Sequence, residues 1–229
     1  MIKVMSTLAL GKAWQALKPK FETGGRRLDL VLGPGAALNK RIAGGERGDV
    51  VVSPTPGVEK LAKDGKVVAG SDRVLARSGV GVAVKKGAPR PDLSSAESLR
   101  WALLSAGSVA YSDPAGGGAS GIHFASVLQQ LGIASQVNAR ARLGRGTLNG
   151  EVVARGEAEI AIQQIPELAG IPGIDIVGPL PAELQQMTSF SAALLSSSKD
   201  PKTANALIEF LLSRETAAVL EAAGFEVGR

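Results

Sequence analysis

The residues best suited to chemistry lie between Tyr111 and Gly132, in YSDPAGGGASGIHFASVLQQLG. Gly116, Gly117, Gly118 and Gly121 leave the backbone free to take unusual dihedrals or to approach a ligand closely. Ser120 occupies the expected N-cap of a helix whose apolar residues recur at Ile122, Phe124, Ala125, Leu128 and Leu131. A helix start offers unpaired N–H groups and the positive end of the macrodipole, so the chemistry expected here is anion binding. No P-loop lysine follows the glycines, which argues against a nucleotide phosphate.

Groups of the same kind recur after other strand-like runs. Ser6 and Thr7 follow the first, Gly35 and Ala36 open the second helix, and Gly146 and Thr147 follow Arg145 just before a helix. Gln163 and Gln164 come directly after EIAI, where two carboxamides must find partners or face a cleft. With Ser112, Gly118, Ala119 and Ser120 of the glycine-rich loop, these residues form the expected ligand set: hydroxyls, amides and carboxamides with few formal charges. Simpler roles compete for several of them. Ser6 and Thr7 also read as N-caps, Asp113 before Pro114 as a turn residue, and Arg145 as a solvated charge. His123 reads first as a satisfied helix residue; with Ser120 it is the catalytic candidate only if the protein is an enzyme.

Composition removes several alternatives. The absence of cysteine rules out disulfides and thiolate chemistry, and a single histidine argues against a histidine-rich metal site, so neither a metal nor a cofactor is expected. The net charge of +5 invites a nucleic-acid reading, yet like charges do not cluster and aromatics make up only 3% of the chain, so no nucleic-acid partner is expected. A diffuse positive field that steers small anions fits better. No apolar run approaches the ~20 residues that cross a bilayer.

The elements that must position these groups read as an α/β protein. Apolar strands (Ile2–Met5, Arg27–Leu32, Asp49–Ser53) alternate with helices, and a second βα series follows. That second series comprises SVAYS, the loop and helix described above, a strand near Val137 to Leu143, a helix from Leu148 to Arg155, and the strand Glu159 to Gln163. Two longer strand-like segments, near 74–86 and 186–196, separate the series. Two crossings imply two lobes, 1–79 with 191–229 and 80–190, and a ligand cleft at the carboxyl ends of the strands.

Taken together, DPAGGGASGIHFASVLQQLGI, LNKRIAGGERGDVVVS, VVARGEAEIAI, IVGPLPAEL and ALIEFLLSRETAAVLEAAGF make the chain resemble, over its full length, the periplasmic molybdate-binding protein family, type II solute-binding proteins of ABC transporters. The resemblance implies a bilobed periplasmic-binding-protein type II fold, with two parallel or mixed sheets flanked by helices and joined by two hinge strands. It also implies a monomer that delivers a small anion to an ABC permease in the membrane, and a periplasmic location reached by way of a leader not seen ahead of Met1. The residues alone leave the cytoplasm open as well. The family holds its oxyanion with hydroxyls and backbone amides. Carried over, those contacts fall on Ser6, Gly35 or Ala36, Ser120 or Ala119, Gly146 or Thr147, and Gln164.

Two departures redirect the expected ligand. The family's serine at the second helix start is absent from Gly33-Pro34-Gly35-Ala36, and its tyrosine after EIAI is replaced by Gln163-Gln164. Losing one hydroxyl donor to a buried dianion costs on the order of 1.5–3 kcal/mol. The glycine-rich loop is also longer than the family form, so the expected ligand is a molybdate-like oxyanion or, fitting the site better, an organic di- or tricarboxylate. Three functions compete on this basis. The first is a solute receptor. The second is an isomerase like the aconitate isomerases that resemble this family, with His123, Asp113, Glu151 or a serine as its base. The third is an anion-sensing module that works with a partner chain.

Overall fold

Strands that are apolar on both faces need helices on both sides, and both sheets of this protein supply them. The computed structural model describes residues Met1–Gly228. In chain order it runs β1 (Ile2–Thr7), α1 (Gly11–Phe21), β2 (Leu28–Gly33), α2 (Gly35–Ala43), β3 (Val50–Pro54), α3 (Thr55–Lys63), β4 (Arg73–Ser78) and β5 (Val80–Lys85). Next come α4 (Ala96–Ser105), β6 (Val109–Ser112), α5 (Ala119–Gln130), α6 (Ala134–Asn138), β7 (Ala141–Gly144), α7 (Asn149–Ala154) and β8 (Ile160–Gln164). The chain ends with α8 (Ile165–Leu168), β9 (Ile174–Pro179), β10 (Thr188–Leu194), α9 (Pro201–Leu211) and α10 (Arg214–Ala222).

The chain forms two compact units, one of residues Met1–Arg77 with Thr188–Arg229 and the other of Ser78–Met187. In the first, the sheet order is β2-β1-β3-β10-β4, with β2, β1 and β3 parallel and β10 antiparallel to β3. Side chains alternate between its faces. Ile2, Val4, Val50 and Val52 pack with Trp14 and Leu17 of α1 and with Leu207 of α9, whereas Met5 and Val51 pack with Leu38 of α2 and Val58 of α3. By the same alternation Ser6 faces α1, and Thr7 and Ser53 face α2 and α3.

In the second unit the order is β7-β6-β8-β5-β9, with β7, β6 and β8 parallel and β5 antiparallel to both β8 and β9. One face carries the large residues Val82, Tyr111, Ile160 and Ile162 against Leu99 of α4 and Phe124 of α5. The other carries Ala83, Ala110 and Ala161 beneath Val153 of α7 and Leu168 of α8. Small residues on that face let α7 lie close to the sheet. Gln163 continues the alanine face, and Gln164 the opposite one.

Two local expectations are corrected. The strand expected near Val137 to Leu143 is a short helix, α6, followed by a strand that begins only at Ala141; Val137 is a fully buried helix residue. The segment Ile174–Pro179, for which the sequence gives no strand expectation, is edge strand β9, whose partner β5 lies almost a hundred residues earlier and leaves no local signal. Ser120 lies inside the first turn of α5 rather than at its N-cap, a position taken by Gly118, whose carbonyl accepts from Ile122 N at 3.1 Å. Ser95 does cap α4, its Oγ accepting from Ser98 N at 3.1 Å.

Candidate functional site

The expected ligand residues gather at the carboxyl ends of the parallel strands within each unit, where open α/β sheets place their helix starts. In the first unit α2 and α3 begin directly after β2 and β3. Their N-cap positions are Pro34 and Pro54, which have no side chain able to accept the first-turn N–H groups. Gly35 opens α2, and a Cβ there would lie 2.7 Å from Pro54 Cδ and 2.9 Å from Ser53 Oγ, so only glycine lets the helix start sit this low on β3. Ala36 beside it is exposed.

The hydroxyls nearby differ in availability. Ser6, expected to offer its hydroxyl, is fully buried on the α1 face; its Oγ accepts from Trp14 Nε1 at 2.8 Å and donates to the Thr7 carbonyl at 3.3 Å. That hydroxyl holds β1 to α1. Thr7 is buried on the other face, and its hydroxyl has no hydrogen-bond partner among the described residues. Ser53 does not stand out in the sequence; its Oγ is fully buried and unpartnered, as is Asn39 Oδ1 on α2. A serine ending a buried strand is the signal that points to it. Thr55 Oγ1, at the start of α3, is 2.8 Å from Ser191 Oγ.

The second unit builds its donors around the glycine-rich loop. Asp113 accepts from Ala115 N at 2.9 Å to turn the chain, and Gly117 takes φ 74°, a left-handed conformation that favours glycine. Helix α5 then starts hard against β6, since a Cβ on Gly121 would fall 2.1 Å from the Ser112 carbonyl oxygen. No side chain caps α5 at Gly118, and Ala119 begins the helix. Ser120 is 3% exposed, and its hydroxyl has no partner among the described residues.

Behind this loop lies a buried polar network. Asn149, fully buried at the start of α7, donates through Nδ2 to Ser112 Oγ at 3.3 Å and to the Ile162 carbonyl at 3.2 Å. Gln163 Oε1 accepts from Asn149 N at 2.7 Å, and Gln163 Nε2 donates to the Thr147 carbonyl at 3.2 Å. The Gln163 carboxamide, expected to meet the ligand, therefore caps α7 and fixes the loop carrying Gly146 and Thr147. Thr147 itself is exposed, with no partner for its hydroxyl among the described residues. Gln164 points to the other face, where its Oε1 accepts from Ser78 Oγ at 2.5 Å.

The charged groups near these donors are mostly committed. Arg145 Nε donates to Asp113 Oδ2 at 2.8 Å; Asp113 is buried, whereas the arginine side chain is 82% exposed. The Arg145 guanidinium and then the Ala115 N–H hold the Asp113 carboxyl below its usual range. His123 lies on α5 with Nε2 donating to the Leu184 carbonyl at 2.8 Å, which fastens the segment before β10. Glu167, in the first turn after β8, is the exception. Burial pushes its carboxyl up to about 7, against the opposing influence of the adjacent Gln163 carboxamide. It is only half-buried by surface. Sequence reasoning misses Glu167, because a glutamate in IPEL looks like any first-turn acid. Among the described residues, no group of three His, Asp or Glu side chains could hold a metal ion.

Both units thus present neutral donors and helix starts at strand ends, an arrangement that can hold an anion without a neutralising cation. Comparison with known proteins identifies the fold and the family. A protein named aconitate isomerase from Pseudomonas sp is 35% identical over 232 residues, covering 98% of this chain and 87% of that protein. The Azotobacter vinelandii periplasmic molybdate-binding protein superposes with a TM-score of 0.82 at 19% identity, with 100% of each chain covered. The sulfate-binding protein SubI from Mycobacterium tuberculosis H37Rv gives a TM-score of 0.75 at 20% identity, covering 98% of this chain and 85% of that one. These two likenesses establish the fold, a bilobed periplasmic-binding-protein architecture of two mixed sheets flanked by helices. Residues 2–226 match the family described as bacterial extracellular solute-binding protein, and the chain belongs to that family.

Proposed function

We propose that this protein binds a small organic polycarboxylate of the aconitate class, using neutral donors at the carboxyl ends of its parallel strands. The donors are the hydroxyls of Thr7, Ser53, Ser120 and Thr147 together with the first-turn amides at Gly35, Ala36 and Ala119 and the loop amides at Gly118 and Gly146. One observation carries the reading: α2, α3 and α5 start at these strand ends with no side-chain cap, and the hydroxyls of Thr7, Ser53 and Ser120 have no partner among the described residues, whereas α4, α9 and α10 are capped by Ser95, Asp200 and Ser213. Oriented dipoles left open in this way suit a ligand whose charge is spread over several carboxylates. The relative at 35% identity favours such a ligand over molybdate or sulfate, whose binders are at most 20% identical. As a receptor, the protein would work outside the cytoplasmic membrane and hand its ligand to an ABC permease.

A second reading, isomerisation of the bound tricarboxylate, is favoured by the name of that relative and by the Glu167 carboxyl. Thermal-shift screening tests the ligand class, because a ligand that binds only the folded state raises the midpoint. Citrate and cis- and trans-aconitate are expected to raise it, and molybdate and sulfate to leave it unchanged. A molybdate shift as large as any carboxylate's would overturn the polycarboxylate reading.

A further inference from the structure

A proton relocated within a bound carbon acid needs a base beside the ligand that is not already tied into the scaffold. The candidates read from the sequence are poorly placed for this. Asp113 accepts from both Arg145 and Ala115 N, the His123 Nε2 proton is given to Leu184, and Glu151 stands exposed on α7. Glu167 differs in position and environment. It sits in the first turn after β8, at the carboxyl end of the sheet, next to the Gln163 carboxamide that fixes Thr147 and the start of α7. It is half-buried by surface, so part of the residue meets solvent.

Resting on the polycarboxylate reading, we infer that Glu167 transfers the proton in an allylic 1,3-shift on a bound unsaturated tricarboxylate. The carboxylate takes a proton from the methylene carbon, and the C–H electron pair becomes the new C=C bond. The old π pair takes a proton at the former vinyl carbon, delivered by the protonated Glu167. Atoms and electrons balance with no oxidant or co-reactant. Because the propene tricarboxylate skeleton is unchanged by the shift, its outcome is interconversion of the cis and trans forms. A carboxyl that titrates near neutrality both accepts and returns a proton efficiently.

The test follows trans-aconitate by proton NMR in deuterium oxide, with calorimetry on the same samples. Wild type is expected to bind it, to exchange its methylene and vinyl protons and to form the cis isomer. Glu167→Gln is expected to bind within about threefold of wild type while exchange falls by roughly a hundredfold or more, the range of a lost acid–base group. Glu151→Gln is expected to exchange as wild type does. Wild-type binding without exchange, or exchange by Glu167→Gln at the wild-type rate, would overturn the role of Glu167 and leave the binding reading intact. Absence of binding by wild type in calorimetry would overturn both.

Discussion

At the scale of single residues, what decides each role is which polar groups the fold has already used. Ser6 and Gln163 are polar residues at strand ends, as a ligand contact should be, yet both are taken up by partners that only the tertiary structure supplies: Trp14, Asn149 and Thr147. No sequence window contains that information, since alternation along β1 and β8 tells which face a side chain occupies but not what waits there. Thr7, Ser120 and Thr147 are legible as candidates, and their hydroxyls have no partner among the described residues. Glu167 is not legible, because its character comes from burial. Its raised carboxyl has a consequence for stability. The folded chain holds this proton more tightly than the unfolded chain, so the contribution is full below about 4.5 and is lost as pH rises towards about 7. Across that window the stability of wild type relative to Glu167→Gln, read from urea midpoints, is expected to fall as pH rises. Parallel profiles would contradict the raised carboxyl.

Whole elements are easier to read. Both βα series are legible because their strands are apolar throughout, a pattern required only of strands covered on both faces. The segment expected as one long strand near 74–86 is two strands, β4 and β5, that break at Gly79 and join different sheets. Glycine punctuation is the visible trace of that break. Elements that rely on distant partners, such as β9, or that span barely one turn, such as α6, lie beyond local pattern. The approach of α5 to β6 gives a prediction at this scale. Gly121→Ala would press a Cβ against the Ser112 carbonyl, a backbone atom that cannot swing away, so destabilisation of about 1–3 kcal/mol is expected in urea denaturation. Gly116→Ala, in the same loop, meets nothing within 4 Å and is expected to change stability by less than about 0.5 kcal/mol. Equal effects of the two would show that the loop glycines serve only flexibility.

For the whole molecule, architecture and ligand come from different features. The two-sheet fold is shared with binders of molybdate and sulfate at TM-scores of 0.82 and 0.75, although identity is only 19% and 20%. Such similarity fixes the scaffold and leaves the cargo to the donor set. That set is neutral in both units, and the +5 net charge of the chain supplies a long-range attraction for anions. The serine missing at the second helix start and the tyrosine missing after EIAI both point away from a compact oxyanion, and both are plain in the amino-acid sequence. The central claim of the proposal is that the hydroxyls of Thr7 and Ser120 contact a polycarboxylate. Calorimetric titration of trans-aconitate into wild type, Thr7→Ala and Ser120→Ala tests it most directly. The account predicts saturable binding by wild type and at least about tenfold weakening in each variant, or about 1.4 kcal/mol, with thermal midpoints nearly unchanged. Unchanged affinity in both variants, or full competition by molybdate, would contradict it.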